Sequence, residues 1–333
     1  MTILEEVSII IPTKNRSDWC IRLVNYYKNL NFPGKVIFCD SSDSAHSHEL
    51  KSYIGAVNSR SIIQLELPNA SVHLALQFGI EHASRTTKYF VQSGDDDFYS
   101  IEGLASAAKF LDDHSDFVAC LGKGVIAGYI LKGDQIEQQW LRKYGSSRSL
   151  QQKNPDKRVF EVTSHYYNLE YSMRPTKLGL KLIREVNNFL GSLAFEESTT
   201  VEFCSVICVA YAGKIKVLRE PFLMRIDHAA RPNRNQKSAK DLLDFKVSQL
   251  ETVKRFHLHL RSACSLASPY ELEDYQVAGH YLNLISGNQK RFKQNPTFIA
   301  SANRLFDRLM SRISALFLDS TYAKFYDIYE RKP

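Results

Sequence analysis

Val7-Ser8-Ile9-Ile10-Ile11-Pro12 places β-branched residues side by side, without the polar alternation of a half-exposed strand. Such a run suits a strand covered on both faces, as in a parallel sheet, and the proline is expected to stop it. The pattern recurs in Lys35-Val36-Ile37-Phe38-Cys39, Ser61-Ile62-Ile63-Gln64-Leu65, Tyr89-Phe90-Val91-Gln92 and Asp116-Phe117-Val118-Ala119-Cys120-Leu121. Helical spacing fills the gaps. Ser17 reads as a cap for a helix carrying Cys20, Ile21 and Val24, and further helices are expected over residues 46–57, 70–84 and about 101–113. Strand–helix alternation with short connections predicts an α/β fold, with a mostly parallel sheet flanked by helices.

Ligands of such sheets bind beyond the carboxyl ends of the strands. Three of those ends are polar here: Thr13 to Arg16, Asp40 to Asp43, and Asp95-Asp96-Asp97. Adjacent carboxylates repel, and burying one without a compensating cation costs several kcal/mol. A strand that delivers three of them to one rim points to a hard divalent ion, which prefers oxygen ligands. The alternative is a solvated acidic turn.

The later chain reads less regularly. Residues 122–133 suit a further strand or hairpin. Residues 134–160 are polar and predict a long loop of the kind that forms lids. A helix is expected over about 176–189. An apolar helix over about 197–211 opens at Glu196-Glu197, and a strand over 214–218 leads on to Arg225 and His228. From about residue 238 the pattern is helical.

Charge divides the chain. Residues 1–120 hold 10 Lys and Arg against 15 Asp and Glu, while the remainder holds 33 against 21. A basic second part suits phosphates, an anionic glycan or an anionic membrane surface. Nucleic acid is disfavoured, because no helix-turn-helix, zinc-finger or aromatic RNA-binding signature is present. No apolar run is long enough for a membrane span, and the first residues lack a signal-peptide pattern. The cysteines at 20, 39, 120, 204, 208 and 264 show no paired spacing and read as reduced thiols of a cytoplasmic protein.

The ordered set of these features resembles the family 2 glycosyltransferases of the GT-A (Rossmann-like) fold. The first strand ends Ile-Pro-Thr-Lys-Asn-Arg, and the second ends Asp40-Ser41-Ser42 where the family has Asp-Gly-Ser. Asp95-Asp96-Asp97 fits the family's Asp-x-Asp, and Glu196-Glu197 stands where the family has Glu-Asp. The resemblance implies a catalytic domain over residues 1–235 and a helical C-terminal region over 236–333, packed on the core. It implies a nucleotide-sugar donor, held by Pro12, Thr13, Asn15, Arg16, Asp40, Asp95 and Asp96. Arg174 and Arg225 are suited to its pyrophosphate. It implies Mn²⁺ or Mg²⁺ held by Asp97, with Asp95 at the ribose or the metal and His228 as a late ligand. Many relatives carry an aspartate where this chain has Gly94, so Asp96 competes with Asp97 for the metal. Glu197, or else Glu196, would be the general base of an inverting transfer to a hydroxyl of a glycan or lipid-linked acceptor. Such enzymes build bacterial surface polysaccharides.

Arg304, Arg308 and Arg312 form a basic stripe beside an apolar one. A helix packed on the core explains it, as does peripheral contact with the inner membrane face or a dimer contact. Two other functions compete. A sugar-1-phosphate nucleotidyltransferase normally opens with a Gly-rich loop, and Thr13-Lys14-Asn15-Arg16 has no glycine. A degenerate glycan-binding or scaffold protein would not need the acids it retains.

Overall fold

The computed structural model describes residues 2–132, 135–144, 148–164, 167–192, 198–227 and 256. The expected base pair Glu196 and Glu197, His228 and the C-terminal helical region with its basic stripe therefore lie outside the described residues, apart from Phe256.

Strands β1 (Val7–Thr13), β2 (Lys35–Asp40), β3 (Ile62–Glu66), β4 (Tyr89–Gln92) and β8 (Arg174–Pro175) form one sheet, in the order β3-β2-β1-β4-β8. The first four are parallel, and β8 joins β4 antiparallel through two residues. Helices α1 (Ser17–Asn29), α2 (Ser44–Val57) and α3 (Val72–Ala83) connect successive parallel strands. Strand β1 runs through Pro12, which pairs in register with Cys39, so the proline does not end the strand.

Alternation sorts the strands onto two apolar layers. Ile9, Ile11, Val36, Phe38, Tyr89 and Val91 face a core shared with Leu23, Val24 and Tyr27 of α1. Ile10, Ile37, Cys39 and Phe90 face Ala75, Leu76, Ile80 and Ala83 of α3 and Ile183 of α6 (Thr176–Ser192). A strand covered on both sides leaves little place for polar residues, and the buried Ser8 of β1 pairs its hydroxyl with that of Thr87. Gly79 brings α3 down onto this sheet. A Cβ there would stand 2.4 Å from the Cys39 sulfur and 2.5 Å from the Ile10 side chain.

A second sheet, ordered β5-β9-β6-β7, contains β5 (Phe98–Tyr99), β6 (Phe117–Lys132), β7 (Gln135–Tyr144) and β9 (Lys214–Asp227). Helix α4 (Ile101–Asp113) follows β5 and adds Leu104, Ala107, Ala108 and Leu111 to the larger core. The expected loop over 134–160 is instead β7, antiparallel to β6, followed by α5 (Pro155–Ser164). A strand on a sheet's rim can be polar, because pairing on one side does not require an apolar face. Asn154 starts α5: its Oδ1 accepts the backbone N–H groups of Asp156 and Lys157, and Pro155 takes the first helical position. Ser17 is likewise not a cap. It lies inside α1, and its hydroxyl bonds His46 Nδ1 and Glu49.

Arg158 of α5 is buried and reaches the end of α7 (Ser198–Ala212). Its guanidinium donates to the carbonyls of Ala210 at 2.7 Å and Tyr211 at 3.0 Å, and also to those of Gln152 and Lys153. Helix C-terminal carbonyls are orphan acceptors at the negative end of the dipole, so a buried cation is stable there. Arg158→Ala is expected to destabilise the protein by about 2–4 kcal/mol. A denaturant midpoint that moves down with unchanged slope checks this. The buried cysteines 20, 39, 120, 204 and 208 are free, as read from their spacing. Burial pushes Cys39 and Cys204 up to about 12.

Candidate active site

The carboxyl ends of β1, β2 and β4 meet at one rim. The ladder continues past the strands, with Ser93 N–H on the Ile10 carbonyl and Ser41 N–H on the Thr13 carbonyl, each at 2.9 Å. Ser93 Oγ donates to the Asp97 carbonyl and Asp97 N–H to the Gly94 carbonyl, which closes a tight acidic turn. Beyond it opens a cavity of about 460 Å³, lined by Pro12, Thr13, Lys14, Arg16, Ser41, Ala70, Val72, Ala75, residues 94–97, Tyr171 and Arg225.

The triplet is buried, not solvated. Asp95 Oδ2 accepts the Thr13 hydroxyl at 2.9 Å, and Asp95 Oδ1 meets Arg16 Nη1 at 2.6 Å. The same guanidinium reaches Asp96 Oδ2 through Nη2 at 3.0 Å. Burial pushes Asp95 up to about 7. Asp96 and Asp97 add to the rise, against Arg16 and the Thr13 hydroxyl. Gly94 leaves room for this crowding, since a Cβ there would stand 3.0 Å from Asp96 Oδ1 and 3.1 Å from Asp97 Oδ2.

Asp97 is 1% exposed and held by the protein on both oxygens. Oδ2 accepts the Tyr171 hydroxyl at 2.9 Å and Arg225 Nε at 3.0 Å, and Oδ1 accepts the Ile226 N–H at 3.1 Å. These donors come from a short 3-10 turn (Leu169–Tyr171) and from β9. Burial, then the charge of Asp97, holds the Tyr171 phenol protonated, so it donates. Arg225 is framed by the rings of Tyr144 and Tyr171, at 4.8 and 5.0 Å, and its Nη1 donates to the Tyr144 hydroxyl at 2.6 Å.

Three expected donor contacts do not line the cavity. Asn15 joins two of the rim loops: it adopts φ 55°, its N–H donates to Ser42 Oγ, and its Oδ1 accepts the Asp43 N–H. Asp40 is buried, with Oδ1 accepting the Ser42 N–H and Oδ2 accepting Gln64 Nε2. Arg174 is 5% exposed, stacks on Phe90 at 4.7 Å and donates Nη2 to the Glu170 carbonyl. It lies against the sheet, among groups that hold it in place.

Sequence reading missed Tyr144, Tyr171, Glu170 and Glu202. Burial raises the carboxyls of Glu170 and Glu202, and the two hydrogen-bond each other beside Arg225. Isolated acids and tyrosines in a sequence resemble surface residues, and only the fold brings these four around Arg225.

Neither a family model nor a curated protein sequence matches the chain. Solved structures do. Residues 1–349 of TarS from S. aureus superpose with a TM-score of 0.50 at 17% identity, covering 98% of this chain and 89% of that one. The fold is shared with TarS. A longer TarS structure gives 0.52 at 18% identity, with 98% of this chain and 54% of that one covered. The 1–349 form in complex with UDP-GlcNAc gives 0.51 at 16% identity, with 98% and 89% covered. The mostly parallel α/β sheet expected from the sequence is thus a GT-A-like fold. Among the described residues, no helix is long and apolar enough to cross a membrane.

Proposed function

We propose that this chain is a glycosyltransferase of the family 2 type, taking a sugar from a nucleotide-sugar donor to a hydroxyl of a glycan or lipid-linked acceptor. The observation that carries this is the cavity at the carboxyl rim of the parallel sheet, where Thr13, Arg16, the buried triplet and Arg225 converge. The fold likeness supports it, since structures of TarS hold UDP-GlcNAc and UDP.

The residues fit a hard divalent ion, with one reassignment. Among the described residues, no three His, Cys, Asp or Glu side chains are placed to hold one metal ion together. An octahedral ion bound with a nucleotide needs only one or two carboxylates, the rest being phosphates and water. The oxygens of Asp97 face three protein donors at 1% exposure, whereas Asp96, at 7%, meets Arg16 at the cavity edge, next to Asp95, which Arg16 and the Thr13 hydroxyl hold. We therefore assign Asp96, with Asp95 beside it, to Mn²⁺ or Mg²⁺, and Asp97 to holding the turn. Bound there, the ion would neutralise charge on the departing nucleoside diphosphate. In the reaction the acceptor oxygen bonds the anomeric carbon, the carbon–phosphate oxygen bond breaks, and the hydroxyl proton passes to a carboxylate. Inversion and a Glu197 or Glu196 base remain part of the proposal, as does a role in surface polysaccharide synthesis.

The test is nucleoside diphosphate release from a panel of UDP-, GDP-, dTDP- and CMP-sugars, with Mn²⁺ and with chelator. At least one donor is expected to react or bind in a metal-dependent way. Silence across the panel with metal present overturns the reading.

A further inference from the structure

We infer that Arg16 is the counterion that Asp95 and Asp96 share before ligand binds, displaced when metal and nucleotide arrive together. This rests on the donor reading above. One guanidinium spans two adjacent carboxylates, at 2.6 Å to Asp95 and 3.0 Å to Asp96. The planar fork suits this double contact, and an ammonium would serve only one acid well. Without a cation, two neighbouring buried carboxylates would repel each other in a poorly solvated turn. Arg16 thus stabilises the site while no ligand is bound.

The same contact obstructs the ligand. A divalent ion on Asp96 would lie against a guanidinium of like charge, so metal alone must evict Arg16 without offering it another anion. A nucleoside diphosphate changes that balance, because its phosphates accept the displaced guanidinium while its oxygens complete the metal's shell. Arg16 is also the partner able to move. Its side chain is 22% exposed, against 7% for each acid. The loop beneath it is anchored, since Asn15 bonds Ser42 and Asp43, so the change is a side-chain rotation. Trp19 of α1 flanks the Arg16 guanidinium, 5.4 Å from its carbon, and carries Arg22 at 4.8 Å on the same ring. Arg225 differs, because Asp97 and the Tyr144 hydroxyl both bond its guanidinium between the rings of Tyr144 and Tyr171.

Mn²⁺ binding followed by electron paramagnetic resonance, alone and with saturating UDP or GDP, tests the inference on the full chain. In the unaltered protein, Mn²⁺ alone is expected to bind at least tenfold more weakly than in the presence of the diphosphate that binds. Arg16→Gln is expected to tighten Mn²⁺ alone at least tenfold and to reduce that coupling to under threefold. Unchanged Mn²⁺ affinity in a folded Arg16→Gln protein overturns the inference and leaves the donor reading standing. Should the variant fail to fold, the unaltered protein decides: equal Mn²⁺ affinity with and without a bound diphosphate overturns it. A protein that binds neither diphosphate with Mn²⁺ overturns the donor reading and this inference with it.

Discussion

Asp97→Ala is expected to cost about 3–5 kcal/mol of folding stability, because it leaves a charge without its partner away from water. Arg225 is 19% exposed and faces the Tyr144 and Tyr171 rings, so solvent replaces little of what the carboxylate gave. The Tyr171 hydroxyl and the Ile226 N–H lose their acceptor in the same step. A denaturant melt reads the loss. Replacing both partners, Asp97→Ala with Arg225→Met, should recover part of it, since an absent pair costs less than a broken one. Full stability in the single variant would show that the turn does not depend on this carboxylate.

Asp96→Asn is expected to do the reverse. Affinity for Mn²⁺ with a nucleoside diphosphate should fall on the order of 100-fold, about 2.7 kcal/mol, as a charged oxygen ligand becomes a neutral one. Stability should change by less than about 1 kcal/mol, because Arg16 keeps Asp95 and one of two mutually repelling charges is removed. Calorimetric titration measures the first quantity and a melt the second. Retained metal-nucleotide binding in Asp96→Asn, with loss in a folded Asp97→Ala, would return the metal to Asp97.

The parallel sheet was legible because a strand covered on both faces leaves an unmixed apolar run. Helix α4 occupies the bounds its periodicity indicated. Strand β7 escaped because nothing in a polar stretch marks a pairing made by the backbone. The start of α5 need not have escaped: Asn154-Pro155-Asp156 is a cap, a first-turn proline and an acid in sequence. At the site, Thr13, Arg16 and the triplet could be brought together from strand ends alone. The partners of Asp97 could not, since Tyr171 and Arg225 lie 74 and 128 residues downstream of it. The burial of Arg174 was also hidden, because an arginine that stacks on a core phenylalanine reads in sequence like any other.

That separation bears on how the protein is made. The acidic turn leaves the ribosome early, and its partners on β9 follow only after about 130 further residues, roughly ten seconds of synthesis. Until then the first four strands can pair locally, but Asp97 has neither Arg225 nor the Ile226 N–H. The acidic rim is therefore completed late, when the second sheet docks, and a nascent chain stopped before β9 would carry the acids without the structure that orders them.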